Sequence, residues 1–406
     1  MGKNTLFIGQ PVFAQILKLI NRAEVQKISR LEGHDRYVKK LDGYTHLVFW
    51  LFGVLKRYDS LRELVIGILA EARKLCHLGI SYLARRSSLA DANNRRSCEF
   101  FEKVYFRLYF RYKKDLSDSC RNYAWEKVLH IMDSTTITLF SDILKGAGRK
   151  PKHGKKKGGI KAHTVTKYCE AVPYLVRFTS AATHDSFMLK VLELPKGSYL
   201  AIDRAYIDYE EFEKMTKRGV YYVTKMKKNL TYKVLDSQYH INGNGMVVCH
   251  ESIVEFSKDE IKHKARLVEW WDENGKCIRL ITNKFDLPAG EIVEIYRRRW
   301  EIELLFKQLK QNFPLKYFYG DSVNAIKSQI WVTLIANLLL SVVKKRVKRV
   351  WSFSNLATTI CHMLMHYIDL FEYLRNPEKT WLGLINAEKR QSGQLEIFPV
   401  QGLTVY

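Results

Sequence analysis

Seven cysteines among 406 residues form no Cys-x-x-Cys pair, which removes zinc-ribbon and dithiol redox motifs from consideration. Their odd number and scatter point to reduced, mostly buried thiols. The neighbours Cys76-His77, Cys249-His250 and Cys361-His362 lack zinc-ligand spacing, because adjacent side chains point apart. No apolar run reaches the roughly 18 to 20 residues of a membrane span. The longest, Leu47 to Leu55 and Ile330 to Val343, read as buried helices. The opening MGKNTLFIGQ has no hydrophobic signal core, and Leu6 stands where a myristoylation motif needs Ser or Thr. A cytoplasmic protein without a membrane partner is therefore expected. Acidic residues are also scarce: 42 against 67 lysines and arginines, a net charge of +25. The excess is spread along the chain, with dense runs at Arg149 to Lys161 and Lys344 to Arg349, and this favours a long polyanion as partner.

The hydrophobic share of 47% is enough for two or three folded domains. Residues 1–125 read as helical. Ser60 is positioned to cap a helix through Lys74, His77-Leu78-Gly79 reads as its end, a short helix is expected over Ile80 to Ala84, and Ser88 as the cap of the next. This pattern resembles a helix-turn-helix with an exposed Asn93-Asn94-Arg95-Arg96 edge, which makes Asn94 and Arg95 candidate DNA contacts; many helical bundles look the same.

From residue 126 the texture changes to strands at Val128–Phe140, Ile160–Tyr168, Val172–Ser180, Ser198–Tyr206 and Val220–Met226, with helices expected over Asp185–Leu194 and after Asp208. The order β-β-β-α-β-α-β is that of a ribonuclease-H-like α/β mixed sheet. A β-rich insertion spans 227–285, with turns at Asn242-Gly243-Asn244-Gly245 and Asp272-Glu273-Asn274-Gly275. Residues 286–345 complete the core, and 346–406 form a helical region, with a helix from Ser354 to Leu374, and a tail.

The run Tyr296 to Lys310 is long enough for one helix. At about 100° per residue, Tyr296, Arg299, Glu303 and Lys310 fall at roughly 0°, −60°, −20° and −40°, on one narrow stripe. Asp133 lies inside an apolar strand, where a lone charge is costly unless paired or metal-bound. Asp203 ends the fourth strand, at the kind of position where α/β sheets build sites. With Glu303 these make three hard oxygen donors, suited to Mg²⁺ or Mn²⁺, and a pair of such ions drives in-line displacement at phosphorus. Each carboxylate alone reads equally as a strand-end cap or a salt bridge. Arg299 and Lys310 flank Glu303 and are placed to hold phosphates, and Tyr296 can donate to another.

Tyr296-x2-Arg299-x3-Glu303-x6-Lys310 resembles the Tyr-Arg-Glu-Lys signature of the insertion-sequence-four family of DDE transposases. Asp133-Ser134-Thr135, Lys161-x-His163, His184-Asp185, Asp203-Arg204-Ala205-Tyr206 and Thr282-Asn283 agree with the family's pattern, although Ala205 stands where many relatives have glycine. The resemblance covers about 125–345. It implies that Asp133, Asp203 and Glu303 form a metal-binding triad, that Tyr296, Arg299 and Lys310 contact phosphates of the element's end beside Arg204, and that Trp270 or Trp271 stacks on a flipped base. It also implies double-stranded DNA as partner, a homodimer pairing two ends, and excision through a hairpin. The rival readings are a ribonuclease-H-like nuclease that hydrolyses without joining, and an inactive DNA-binding relic.

Overall fold

The computed structural model describes residues 9–117, 122–138, 159–168, 170, 172–241, 247–258, 260–379, 382–383 and 385–386. Most of the basic run that starts at Arg149, and the expected turn at Asn242-Gly243-Asn244-Gly245, lie outside them. The chain divides into two compact units, residues 1–96 with 339–406, and residues 97–338. The sequence reading places its segment boundaries at 125, 226, 285 and 345.

The first unit begins with helices α1 (Val12–Leu17), α2 (Arg22–Leu31), α3 (Gly43–Lys56), α4 (Leu61–Ala70) and α5 (Arg86–Arg95). Asn21, Asp42 and Ser60 cap α2, α3 and α4 by accepting the amide N–H three residues on, which satisfies one of the donors each helix start leaves open. Helix α3 is buried from Gly43 to Leu55 and forms the interior of this unit. Helix α4 stops at Ala70, and a 3-10 segment, Ala72–Leu78, carries the chain to Gly79, whose φ of 70° ends it. Two expectations fail here. Ile80 to Ala84 is not helical, and α5 starts at Arg86 behind Arg85, without a cap from Ser88. The four-residue edge is also split: Asn94 and Arg95 are exposed, whereas Asn93 and Arg96 are 1% and 3% exposed.

The second unit opens with α6 (Cys98–Leu116), then β1 (Leu129–Thr138), β2 (Gly159–Lys167), β3 (Pro173–Ser180), α7 (Phe187–Val191), β4 (Tyr199–Ile202), α8 (Tyr209–Lys217) and β5 (Tyr221–Lys225). The expected order is present. Helix α7 is shorter than Asp185–Leu194, because Ser186 gives no side-chain cap and its hydroxyl bonds His184 instead. Strands β6 (Lys233–Ile241), β7 (Val247–Lys258), β8 (Ile261–Trp271) and β9 (Cys277–Thr282) follow, then α9 (Ala289–Arg298), α10 (Trp300–Asn312) and α11 (Val323–Val347), whose residues from Leu339 on are counted with the first unit. Among the described residues the strands form one nine-stranded sheet in the order β3-β2-β1-β4-β5-β9-β8-β7-β6. The inserted strands thus extend the core sheet, with β9 pairing antiparallel to β5 through Val223–Thr282, Thr224–Ile281 and Lys225–Leu280.

Two apolar layers cover the sheet. On one face Met132, Val165, Leu200 and Ile202 meet Met188, Leu189 and Phe212 of α7 and α8. On the other, Leu129, Ile131, Ala201 and Val268 meet Ile292, Ile295, Ile302 and Phe306 of α9 and α10. Alternation along β1 puts neighbours on opposite faces, so Asp133 faces the α9–α10 layer and Ser134 the α7–α8 layer.

Helix α11 is long and apolar enough to cross a membrane by length and composition, and 94% of its most apolar window is buried inside the protein. The first unit ends with α12 (Phe353–Met363) and α13 (Leu370–Arg375), where one helix was expected from Ser354 to Leu374. The described cysteines are free, but only Cys249 is buried and Cys76 and Cys277 are exposed, against the expectation of mostly buried thiols.

Candidate active site

Strands β1 and β4 run parallel with Met132 opposite Ile202, so the next residue of each, Asp133 and Asp203, comes side by side. Strand β4 ends at Ile202, and Asp203 begins the 3-10 turn Arg204–Tyr206. Strand ends of this kind border a crevice in open α/β sheets, and α10 packs along β1 here. Helices α9 and α10 meet at Arg299, where the Arg299 N–H bonds the Tyr296 carbonyl and the Ile302 N–H the Arg299 carbonyl, in i to i−3 steps. The single helix expected over Tyr296–Lys310 is therefore two, with Arg299 at the joint.

That joint aims the guanidinium between two carboxylates. Arg299 Nη1 lies 3.3 Å from Asp133 Oδ2 and Nη2 lies 2.6 Å from Glu303 Oε1. Burial works against the charge on Arg299, and the bond to Glu303, with Tyr296 and Asp133, more than restores it. Burial also pushes the Asp133 carboxyl up to about 6; the Ser134 N–H and Arg299 oppose the shift, and the nearby Asp203 and Glu303 add to it. The Tyr296 ring lies 5.7 Å from the Arg299 guanidinium, and burial raises its phenol against the pull of Arg299 and Arg204. Asp133, Asp203, Glu303, Tyr296, Arg299 and Arg204 thus form one group. Lys310 stands apart from it, with Thr135, Ile137, Thr164 and Phe306 around a small cavity, and desolvation lowers its ammonium.

The other candidates are placed separately. Trp270 and Trp271 line a cavity of about 940 Å³ with Arg297 and the hairpin Asp272–Gly275. Trp270 packs on the α9–α10 face, 3.7 Å from where a Cβ on Gly290 of α9 would lie. Asn94 and Arg95 belong to the first unit.

Behind the site, on the far face of β1, is a polar group to which sequence reasoning gave no role. The Ser134 hydroxyl donates to Asp185 Oδ1 at 2.7 Å. Lys161, 2% exposed, donates to the same oxygen at 3.1 Å and to the Thr183 carbonyl at 2.8 Å. Burial raises Asp185, and these bonds outweigh it and hold its carboxyl below the usual range. The available signal was Lys161 and His163, two ionisable residues alternating on a strand that is buried up to its last residue.

The donor set is oxygen only, as Mg²⁺ or Mn²⁺ requires. Among the described residues no three His, Cys, Asp or Glu side chains enclose a metal position; the Arg299 guanidinium fills the interval between Asp133 and Glu303. The carboxylates already converge on positive charge, which is how they fit a cation, and closing them around one requires Arg299 to move aside.

The chain has relatives among known proteins. The chain is 28% identical over 260 residues to the putative transposase y4zB of Sinorhizobium fredii, covering 63% of this chain and 70% of that protein. It is 28% identical over 222 residues to the probable transposase for insertion sequence element IS5377 of Geobacillus stearothermophilus, covering 54% and 58%. It is 25% identical over 257 residues to the putative transposase for IS4SA of Synechocystis, covering 63% and 70%. The solved structure of a piggyBac transposase synaptic complex with hairpin DNA aligns with a TM-score of 0.43 at 10% identity, over 97% of this chain and 86% of that one. Residues 8–81 match a domain of unknown function (DUF4372). The transposase DDE domain family matches residues 124–339, more than half of the chain and all of the crevice described above, so the chain belongs to the DDE transposases, the enzymes that cut and rejoin DNA at the ends of mobile elements.

Proposed function

We propose that this transposase excises and inserts an insertion sequence with Asp133, Asp203 and Glu303 as its catalytic and metal-holding carboxylates. The family depends on divalent metal; the reading here is Mg²⁺ or Mn²⁺, as two ions. The observation that carries it is the Arg299 bridge between Asp133 and Glu303, next to Asp203 on the adjoining strand. Two carboxylates from separate segments share one positive charge there, and a third, Asp203, lies beside Asp133, an arrangement that costs stability and that an ordinary fold does not need.

When bound, such ions activate a water or 3′-hydroxyl and stabilise the leaving oxygen in in-line displacement at phosphorus. The chain's own residues bind and orient the DNA. Arg299, released from the carboxylates, turns its paired N–H groups to a phosphate. Tyr296 donates its hydroxyl to another, Lys310 neutralises a third further along β1, and exposed Arg204 meets the backbone beside Asp203. Trp270 or Trp271 stacks on a base displaced from the end. In the first unit, Asn94 and Arg95 project from α5 toward the groove of the recognised end. Two such ends require a homodimer, and cleavage passes through a hairpin before the 3′-hydroxyls join target DNA.

Incubating the full chain with a labelled duplex of the element's own terminus, a target plasmid and Mg²⁺ tests this. The expected products are hairpins and plasmid joined at the 3′ end. Hydrolysis without joining would identify a nuclease, and binding without cleavage an inactive relic.

A further inference from the structure

The polar group behind the site reaches Asp133 through one residue. Ser134 donates its backbone N–H to Asp133 Oδ1 at 2.7 Å and its hydroxyl to Asp185 Oδ1 at 2.7 Å, from opposite faces of β1. Asp133 is thus held at both oxygens, by Arg299 at Oδ2 and by Ser134 at Oδ1. Only the second hold remains once Arg299 moves aside. Asp185 is itself fixed by Lys161, which the Thr183 carbonyl anchors in turn. A buried ammonium with two acceptors is an expensive support for a surface loop, and it needs a purpose. Tyr206, 1% exposed and in the turn after Asp203, lies within the field of Asp133, Asp185 and Asp203, so this side of the sheet backs both strand ends.

We infer that Asp185 is a positioning residue: held by Lys161, it pins the Ser134 hydroxyl, so that the Ser134 amide keeps the Asp133 carboxylate turned into the crevice for a divalent cation. The inference rests on Asp133 being a metal ligand. Supporting bonds of this kind behind a ligand carboxylate are worth about 10- to 100-fold in metal affinity. Lys161 and Asp185 then matter to the reaction without touching DNA or metal.

The test is Mn²⁺ binding to the full chain without DNA, read from the electron paramagnetic resonance signal of free Mn²⁺, for wild type, Ser134→Ala, Ser134→Thr, Asp185→Asn and Asp133→Asn. Ser134→Ala removes one oxygen and leaves the Lys161–Asp185 pair intact. It is expected to weaken Mn²⁺ about tenfold or more, and Ser134→Thr, which keeps the hydroxyl, to restore wild-type affinity. Asp185→Asn should weaken binding in the same direction, and in cleavage assays the metal concentration for half-maximal rate should rise more than the saturating rate falls. Wild-type Mn²⁺ affinity in Ser134→Ala, or equal loss in Ser134→Ala and Ser134→Thr, would overturn the positioning role. Wild-type affinity in Asp133→Asn would instead remove Asp133 from the metal site, a separate failure.

Discussion

In the proposed function Arg299 carries opposite duties in the free and DNA-bound protein, and the two can be separated. In the free protein it balances Asp133 and Glu303 and occupies the space a cation needs. Arg299→Gln should therefore tighten Mn²⁺ binding to the free chain by about tenfold, or ~1.4 kcal/mol, in calorimetric titration. It should also slow end cleavage, because the phosphate contact is lost; weaker metal binding in this variant would contradict the account. His46 gives a second prediction at this scale. It is fully buried, and burial, with Arg96 nearby, depresses its imidazole to about 3 from 6.5, opposed by the bond to Asn93. The folded state holds it neutral. Its contribution to stability is thus complete above pH 6.5 and is lost as pH falls toward 3, at up to ~1.4 kcal/mol per pH unit. Denaturant unfolding across that range should show a shallower acid slope in His46→Gln.

Among the elements, what could be read from sequence depended on whether the pattern was local. Strand β1, strand β4 ending just before Asp203, and α8 behind its Asp208 cap were legible because alternation, strand-end position and cap chemistry are properties of neighbouring residues. The joining of β9 to β5 was not: it pairs residues some 57 positions apart, Val223 with Thr282 being the widest at 59, and nothing in either segment names its partner. Helical spacing put Arg299 and Glu303 on one stripe but could not show the joint that turns Arg299 to Asp133. In α5 the same limit confused neighbours, since Asn93 and Asn94 differ only in which way the helix turns them. Asn93 Oδ1 accepts from Trp50 Nε1 at 2.9 Å and lies 2.8 Å from His46 Nε2. Asn93→Leu removes both of these buried bonds and should cost ~1–3 kcal/mol by thermal or chemical unfolding. Asn94→Ala should leave stability within ~0.5 kcal/mol and weaken binding to the element's end in gel-shift titration; an unchanged affinity would remove α5 from the recognition surface.

For the molecule as a whole, the net charge of +25 makes association with DNA an exchange of counterions. With about six to ten phosphates neutralised, affinity for the end duplex should fall about a thousandfold or more between 50 and 200 mM salt, in fluorescence anisotropy titrations. The charge explains attraction to any DNA; the proposed chemistry lies between β1, β4 and α10. The measurement that tests this most directly is cleavage of a labelled duplex carrying the element's terminus, with Mg²⁺ or Mn²⁺, by wild type, Asp133→Asn, Asp203→Asn and Glu303→Gln. The account predicts specific nicks and hairpin-sized products from the wild type and none from any of the three variants, each still binding the duplex. Cleavage that survives in Asp133→Asn or Glu303→Gln would contradict it.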